Sequence, residues 1–202
     1  MTLLTIAQAV AKNASLEPPD TAQGDDDDIV KLVQFINEAG DECARRVDWS
    51  VLRKIQNIEA TGFDAMYPLA DDYARLVRGM SMRIAGGAAI RGGLSADEWF
   101  SLDQTQGTPR FYRISGKQVG FFPYPAEGVN IRIQYISGNW VAGNKTAMAD
   151  NTDTAVIDEN LITRGAIWRL RRHIGADYQD NLAEFEAMLS DRATADGAER
   201  MP

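Results

Sequence analysis

Cys43 and His173 are the only cysteine and the only histidine in this 202-residue sequence. Together they allow one nucleophilic arrangement, a thiolate with an imidazole base, and neither carries a recognisable flanking motif. One cysteine excludes an intramolecular disulfide and any multi-cysteine zinc site, and one histidine excludes an HExxH helix. Paired carboxylates occur at Asp71-Asp72, Asp97-Glu98 and Asp158-Glu159. Acid/base hydrolysis uses two carboxyl groups, but adjacent acids ordinarily cap helices or face water. Gly86-Gly87 and Gly92-Gly93 fit neither a dinucleotide nor a P-loop pattern and read as a loop or hairpin. The run Asp25 to Asp28 lacks the alternating ligands of a calcium loop and reads as a solvated helix N-terminus. No GxSxG elbow is present, so the expectation is no catalytic residue, no cofactor and no metal.

The strongest remaining candidate is Trp168, Arg169, Arg171, Arg172 and His173. Arg169 and Arg172 lie three residues apart, on one helix face, which suits contact with nucleic acid. The competing reading is charge compensation at a helix C-terminus, with ion pairs to acids on the following helix. Net charge argues for the second. Lysine and arginine number 21 against 29 aspartate and glutamate, a net of −8, whereas binding to phosphate backbones is driven by cations. The cations are 16 Arg and 5 Lys, and arginine's planar fork suits interfaces and carboxylate pairing. Charge is also segregated. Residues 17–28 hold six acids and no base, residues 164–173 hold four arginines and no acid, and residues 177–191 hold five acids and no base. No apolar run approaches the roughly 20 residues that span a bilayer.

The spacing predicts a short amphipathic helix over Thr5 to Lys12, then a loop with Pro18, Pro19 and Gly24. A long helix follows, capped by Asp27 or Asp28, with Ile29, Leu32, Val33, Ile36, Ala39, Cys43 and Val47 at helical spacing. The period then changes. Ile55 to Thr61 and Leu76 to Ile84 read as strands, and Ser95 to Glu98 has capping-box spacing for a short helix. Phe111 to Ser115 and Gln118 to Phe122 flank the tight turn Gly116-Lys117, and Val129 to Tyr135 alternates as a half-buried strand. A polar loop over Ala142 to Asp153 precedes a helix capped near Asp158 and ended by Gly175. A further helix begins near Asp177. The expected fold class is α+β. N- and C-terminal helices, residues 1–50 and 155–195, form one bundle; an antiparallel β-rich block, 51–154, is inserted between them; and 196–202 is a flexible tail.

Several strings resemble those of tailed-bacteriophage head–tail connector, or adaptor, proteins. They are Ala44 to Leu52 (ARRVDWSVL), Tyr67 to Val77 (YPLADDYARLV), Tyr112 to Pro125 (YRISGKQVGFFPYP), Ile131 to Trp140 (IRIQYISGNW) and Asp150 to Asp180. The resemblance implies a non-enzymatic virion protein at the head–tail junction, made in the host cytoplasm. It implies a dodecameric ring of neighbouring copies docked on the portal protein. Such a ring extends the DNA channel, passes genomic DNA without sequence-specific binding, and receives a downstream tail or nozzle protein. No membrane is involved. Carried onto this chain, portal or subunit contact falls to Trp168, Arg169, Arg171, Arg172, His173, Arg192, Arg200, Met201 and Pro202. Tail-side contact falls to Gly116, Lys117, Asn144 and Lys145. The alternatives are a tail-tube or head-completion protein at another ring, or a small nucleic-acid-binding factor or enzyme on the same α+β body.

Overall fold

The structure, a computed structural model, describes residues 1–64, 66–79, 81–92 and 94–197. It divides into two compact units, Met1–Leu52 with Gly138–Pro202, and Arg53–Ser137.

The first unit is helical: α1 (Leu3–Asn13), α2 (Asp27–Arg46), α4 (Glu159–His173) and α5 (Gln179–Ala195). Thr2 caps α1 through a reciprocal box with Thr5. Asp26, one residue before the expected cap, accepts from the Asp28 and Ile29 amides and starts α2. Helix α4 packs against α1, α2 and α5. Its Leu161, Ile162, Ala166, Ile167 and Leu170 meet a core of Leu3, Ile6, Val10, Leu32, Ile36, Phe185 and Leu189. Gly175, at φ +73°, lets the chain turn out of α4. At residue 165 a Cβ would lie 2.8 Å from that of Ala39, so α2 and α4 approach closely through glycine and alanine.

The second unit is built from strands: β1 (Arg53–Glu59), β2 (Met66–Pro68), β3 (Tyr73–Leu76), β4 (Met82–Ile84), β5 (Phe111–Ser115), β6 (Gln118–Phe122) and β7 (Asn130–Ser137). The short helix α3 (Ala96–Phe100) carries the expected capping box between Ser95 and Glu98. All strand pairs are antiparallel. Strand β7 is central in one sheet, with β1 on one side and β3 then β4 on the other; β2-β6-β5 is the second sheet. Ile58, Met82, Ile131 and Ile133 from the first sheet and Tyr67, Val119 and Phe121 from the second form one buried core. The chain enters on β1 and leaves on β7, which pair from Arg53↔Ile136 onward. Entry and exit are thus hydrogen-bonded neighbours, a geometry that suits an inserted block.

The α+β class and the order helices, strands, helices match the sequence reading, and three details differ. Leu76 to Ile84 is two strands, because the chain leaves the ladder between Leu76 and Met82. The polar loop Ala142 to Asp153 belongs to the helical unit, so the second boundary falls at Gly138 and not at residue 155. The loop's own contacts explain this. Trp140 and Met148 are buried, the Trp140 indole N–H donates to Asp41 at 2.7 Å, and Asn37 bonds both the N–H and the C=O of Met148. Asp196, placed in the flexible tail, accepts from the Ser50 N–H and O–H at 2.7 and 2.6 Å.

A Cβ at residue 40 would lie 2.3 Å from the Trp140 ring, which is buried and held through its indole N–H. Gly40→Ala gains up to ~1 kcal/mol of helix propensity but forces that ring to move, which costs about 1–3 kcal/mol. The net expectation is a lower denaturant midpoint with an unchanged slope.

Candidate functional site

Helices α2 and α4 run antiparallel, with Lys31 beside His173 at one end and Glu42 beside Arg169 further along. Arg169 is the hub of their shared face. Its guanidinium bonds the Glu42 carboxylate, donates to the Gly165 carbonyl at 2.8 Å, and lies 3.6 Å from Glu38. Glu42 also accepts from Arg46 at 2.9 Å, and Arg46 makes a two-pronged bond to Glu186 on α5 at 2.6 and 2.8 Å. Hydrogen bonds that Arg46 donates to Glu186 raise its pKa further above the ordinary value. Acids on the following helix are the partners expected from sequence for this stretch. Arg164 does pair there, with Glu184 at 2.9 Å, but Arg169 pairs with α2.

The rest of the arginine stretch divides by role. Arg171 donates to the carbonyls of Asp177 and Asn13 and so ties the helix end to its neighbours. Arg172 is exposed, and among the described residues no carboxylate pairs with it. Beside it opens a cleft of about 430 Å³, lined by Phe35, Glu38, Trp168, Arg169, Arg172 and His173. Phe35 and His173 stack with ring centres 5.5 Å apart, and the Arg169 guanidinium lies 4.3 Å from the centre of the Trp168 ring. The Trp168 indole N–H is buried and meets no acceptor. On the other side of His173 a second cleft, about 360 Å³, is walled by Leu16, Leu32, Leu170 and Ile174 and rimmed by Lys31 and Asp28.

Arg192 pairs with Asp158, the cap of α4, at 2.8 Å. Arg200, Met201 and Pro202 lie outside the described residues. Gly116 and Lys117 form the exposed tip of the β5–β6 hairpin, with Gly116 at φ +59°. Asn144 sits at φ +60° in the helical unit's loop, and Lys145 there bridges Asp150 and Asp153 at 3.0 and 2.7 Å. The structure therefore does not bring the four tail-side candidates together in one unit.

Cys43 is fully buried, and burial pushes its thiol far above the range of a reactive thiolate. Burial favours the neutral Asp72 carboxyl, yet hydrogen bonds from Lys54, Ser137 and Tyr135 outweigh it and hold the group below its ordinary value. Those bonds, at 2.6, 2.7 and 2.8 Å, tie β1 and β7 to the turn before β3. Burial and the bond to Asp72 push the Tyr135 hydroxyl up to about 12. Among the described residues no group of three or more His, Cys, Asp or Glu could hold a metal ion, and no helix is long and apolar enough to cross a membrane.

The model of the SU10 adaptor protein family matches residues 1–202. The chain belongs to that family. It is a family of phage head–tail adaptors, as the strings from Ala44 to Asp180 imply. The adaptor is thus a structural protein of the virion, from a class that is not enzymatic, and associates with other phage head and tail proteins. No curated protein matches the chain.

Sequence reasoning missed the α2 half of the adaptor's cleft. Lys31, Phe35, Glu38 and Glu42 follow one another at spacings of four, three and four, a stripe beside the apolar one. It also passed over Phe63 and Phe100, which stand almost wholly exposed in the β unit.

Asp153 gives the adaptor a measurable pH response. Burial raises its pKa, but the Ala149 and Asp150 amides and Lys145 outweigh this and hold it at about 2. A carboxyl that titrates lower when folded contributes stability that is whole above about pH 5 and is lost as pH falls through the folded value. The thermal midpoint is expected to fall between about pH 5 and 2, and less steeply in Asp153→Asn than in the parent.

Proposed function

We propose that this adaptor docks as a dodecameric ring on the portal, extends the DNA channel and receives the downstream tail or nozzle protein. The helical unit is the portal-facing part and the β unit the tail-facing part. The observation that carries the reading is the cleft between α2 and α4. It combines Trp168, Phe35 and His173 with the uncompensated cation of Arg172, and aromatic and arginine side chains dominate binding at protein interfaces. Arg169, although in the same stretch, is committed to Glu42 within the chain and acts by holding the cleft's shape. Portal contact in this reading continues through Arg200, Met201 and Pro202, and the tail side is met by the Gly116-Lys117 tip. The net charge of −8 supports a channel that genomic DNA traverses without being held.

Velocity sedimentation of the chain with portal rings from the same genome tests this. Binding that saturates near one chain per portal subunit is the expected result, and a well-folded chain that fails to bind would remove portal docking. Arg172→Glu should weaken that binding at least tenfold while changing folding stability by less than about 0.5 kcal/mol. Arg169→Ala should instead cost about 1–3 kcal/mol of stability, because the partly buried Glu42 carboxylate loses one of its two cations and keeps only Arg46.

A further inference from the structure

In the β unit, alternation along the central strand sends Ile131, Ile133 and Tyr135 to the core and Arg132 and Gln134 outward. The ladder then fixes what shares the outward face. Arg83 of β4 stands directly opposite Arg132, and Asn57 of β1 stands opposite it on the other side. Two rows along, Arg53 and Arg75 flank Ile136, which is buried, and both arginines have partners within the chain, so the open part of the face is the stretch around Arg83, Arg132 and Ile55. Glu59 is the one acid that the register puts on this face among the described residues. Ile55, 57% exposed, sits between the arginine rows.

Like charges directly opposite on a sheet are destabilising. Here two exposed arginines face each other, and among the described residues neither has an ion pair. The chain is otherwise acidic, so a positive sheet face with an isoleucine at its centre is not explained by composition. Its chemistry suits an anionic occupant with a small apolar spot. The helical unit carries such a surface: Asp25, Asp26, Asp27 and Asp28 are all exposed, and Val30, 49% exposed, follows at once in the first turn of α2. Among the described residues none of these four aspartates is in an ion pair. Asp26 satisfies the helix start, and the others leave their charge to solvent.

We propose that the outward face of the four-stranded sheet of one copy, centred on Arg83, Arg132 and Ile55, receives the Asp25–Asp28 run and Val30 of a second copy. The two surfaces are different, so the contact is heterologous. Such a contact propagates from copy to copy and closes into a ring or continues as a filament. The inference rests on the adaptor reading for its setting and supplies the subunit contact that the ring needs. Both surfaces lie on regular elements, a sheet face and a helix start. Charge complementarity there governs encounter rate and excludes wrong pairings.

Cysteine cross-linking tests it. Cys43 is buried, so new thiols at Ile55 and Val30 report alone. In the full chain, Ile55→Cys combined with Val30→Cys should oxidise to a ladder of covalent multimers. Each single variant should stay monomeric, and a mixture of the two should stop at the dimer. Arg83→Glu with Arg132→Glu should abolish the ladder, and adding Asp27→Arg with Asp28→Arg should restore it. Absence of a ladder up to millimolar chain, or dimers from Ile55→Cys alone, would overturn the proposal. So would salt-sensitive binding of duplex DNA that is lost in Arg83→Glu with Arg132→Glu, since nucleic acid would then be the occupant of this face. Co-sedimentation of the same variants with portal rings reads the adaptor role separately, so loss of one result leaves the other standing.

Discussion

The helical unit depends on a steric fact, the absence of a side chain at residue 165 where α4 crosses Ala39 of α2. A larger pair there would hold the helices apart. One turn beyond Gly165, Arg169 has its guanidinium within reach of Glu42 and Glu38 only because the backbones are this near. Arg46 and Glu186 then extend the same network to α5. These ions are partly buried, so their attraction must offset real desolvation. The close approach is what makes the geometry good enough to do so. The cleft lies along the same two helices, where Phe35 and His173 occupy the groove in place of a small-residue contact.

The β unit has its own fixed point. Lys54, Tyr135 and Ser137 converge on one carboxylate, Asp72, from two neighbouring strands. That cluster lies on the face of β7 that carries Ile131 and Ile133, so the strand register is specified twice. A slip of one residue would bury Arg132 and expose Ile131 and Ile133, which a core of this kind forbids. Register therefore forces Arg83 and Arg132 together on the outside. Their juxtaposition follows from core packing.

Elements with local signals were legible in the sequence. The Ser95–Glu98 capping box, the Gly116-Lys117 turn, the Asp158 cap and the alternation of β7 each depend on neighbours within a few residues. What escaped depends on distant partners. Nothing local says that Asn37 will bind Met148, or that Trp140 will lie against Gly40, so the loop after β7 read as part of the β block. The interruption between β3 and β4 is likewise tertiary. Both segments pair with the same strand, and only β7 shows where one ends and the next begins. The arginine stretch was found by composition, but its division into Arg169, committed to Glu42, and Arg172, left exposed, needed α2 in place.

That division applies to the whole chain. Arg46, Arg164, Arg169, Arg192 and Lys145 are matched by acids of the same copy and act as fasteners. Among the described residues Arg172, Arg83, Arg132 and the Asp25–Asp28 run are not. An exposed ion pair is worth little because water already solvates both charges. Leaving surface charges unmatched therefore costs a free chain almost nothing and keeps it soluble. When two unmatched patches of opposite sign meet around an apolar centre, water is excluded and the same charges become discriminating. Fasteners and unmatched charges thus sit on different residues of this adaptor, so a contact made through the second set would leave the first set, and the fold it holds, undisturbed.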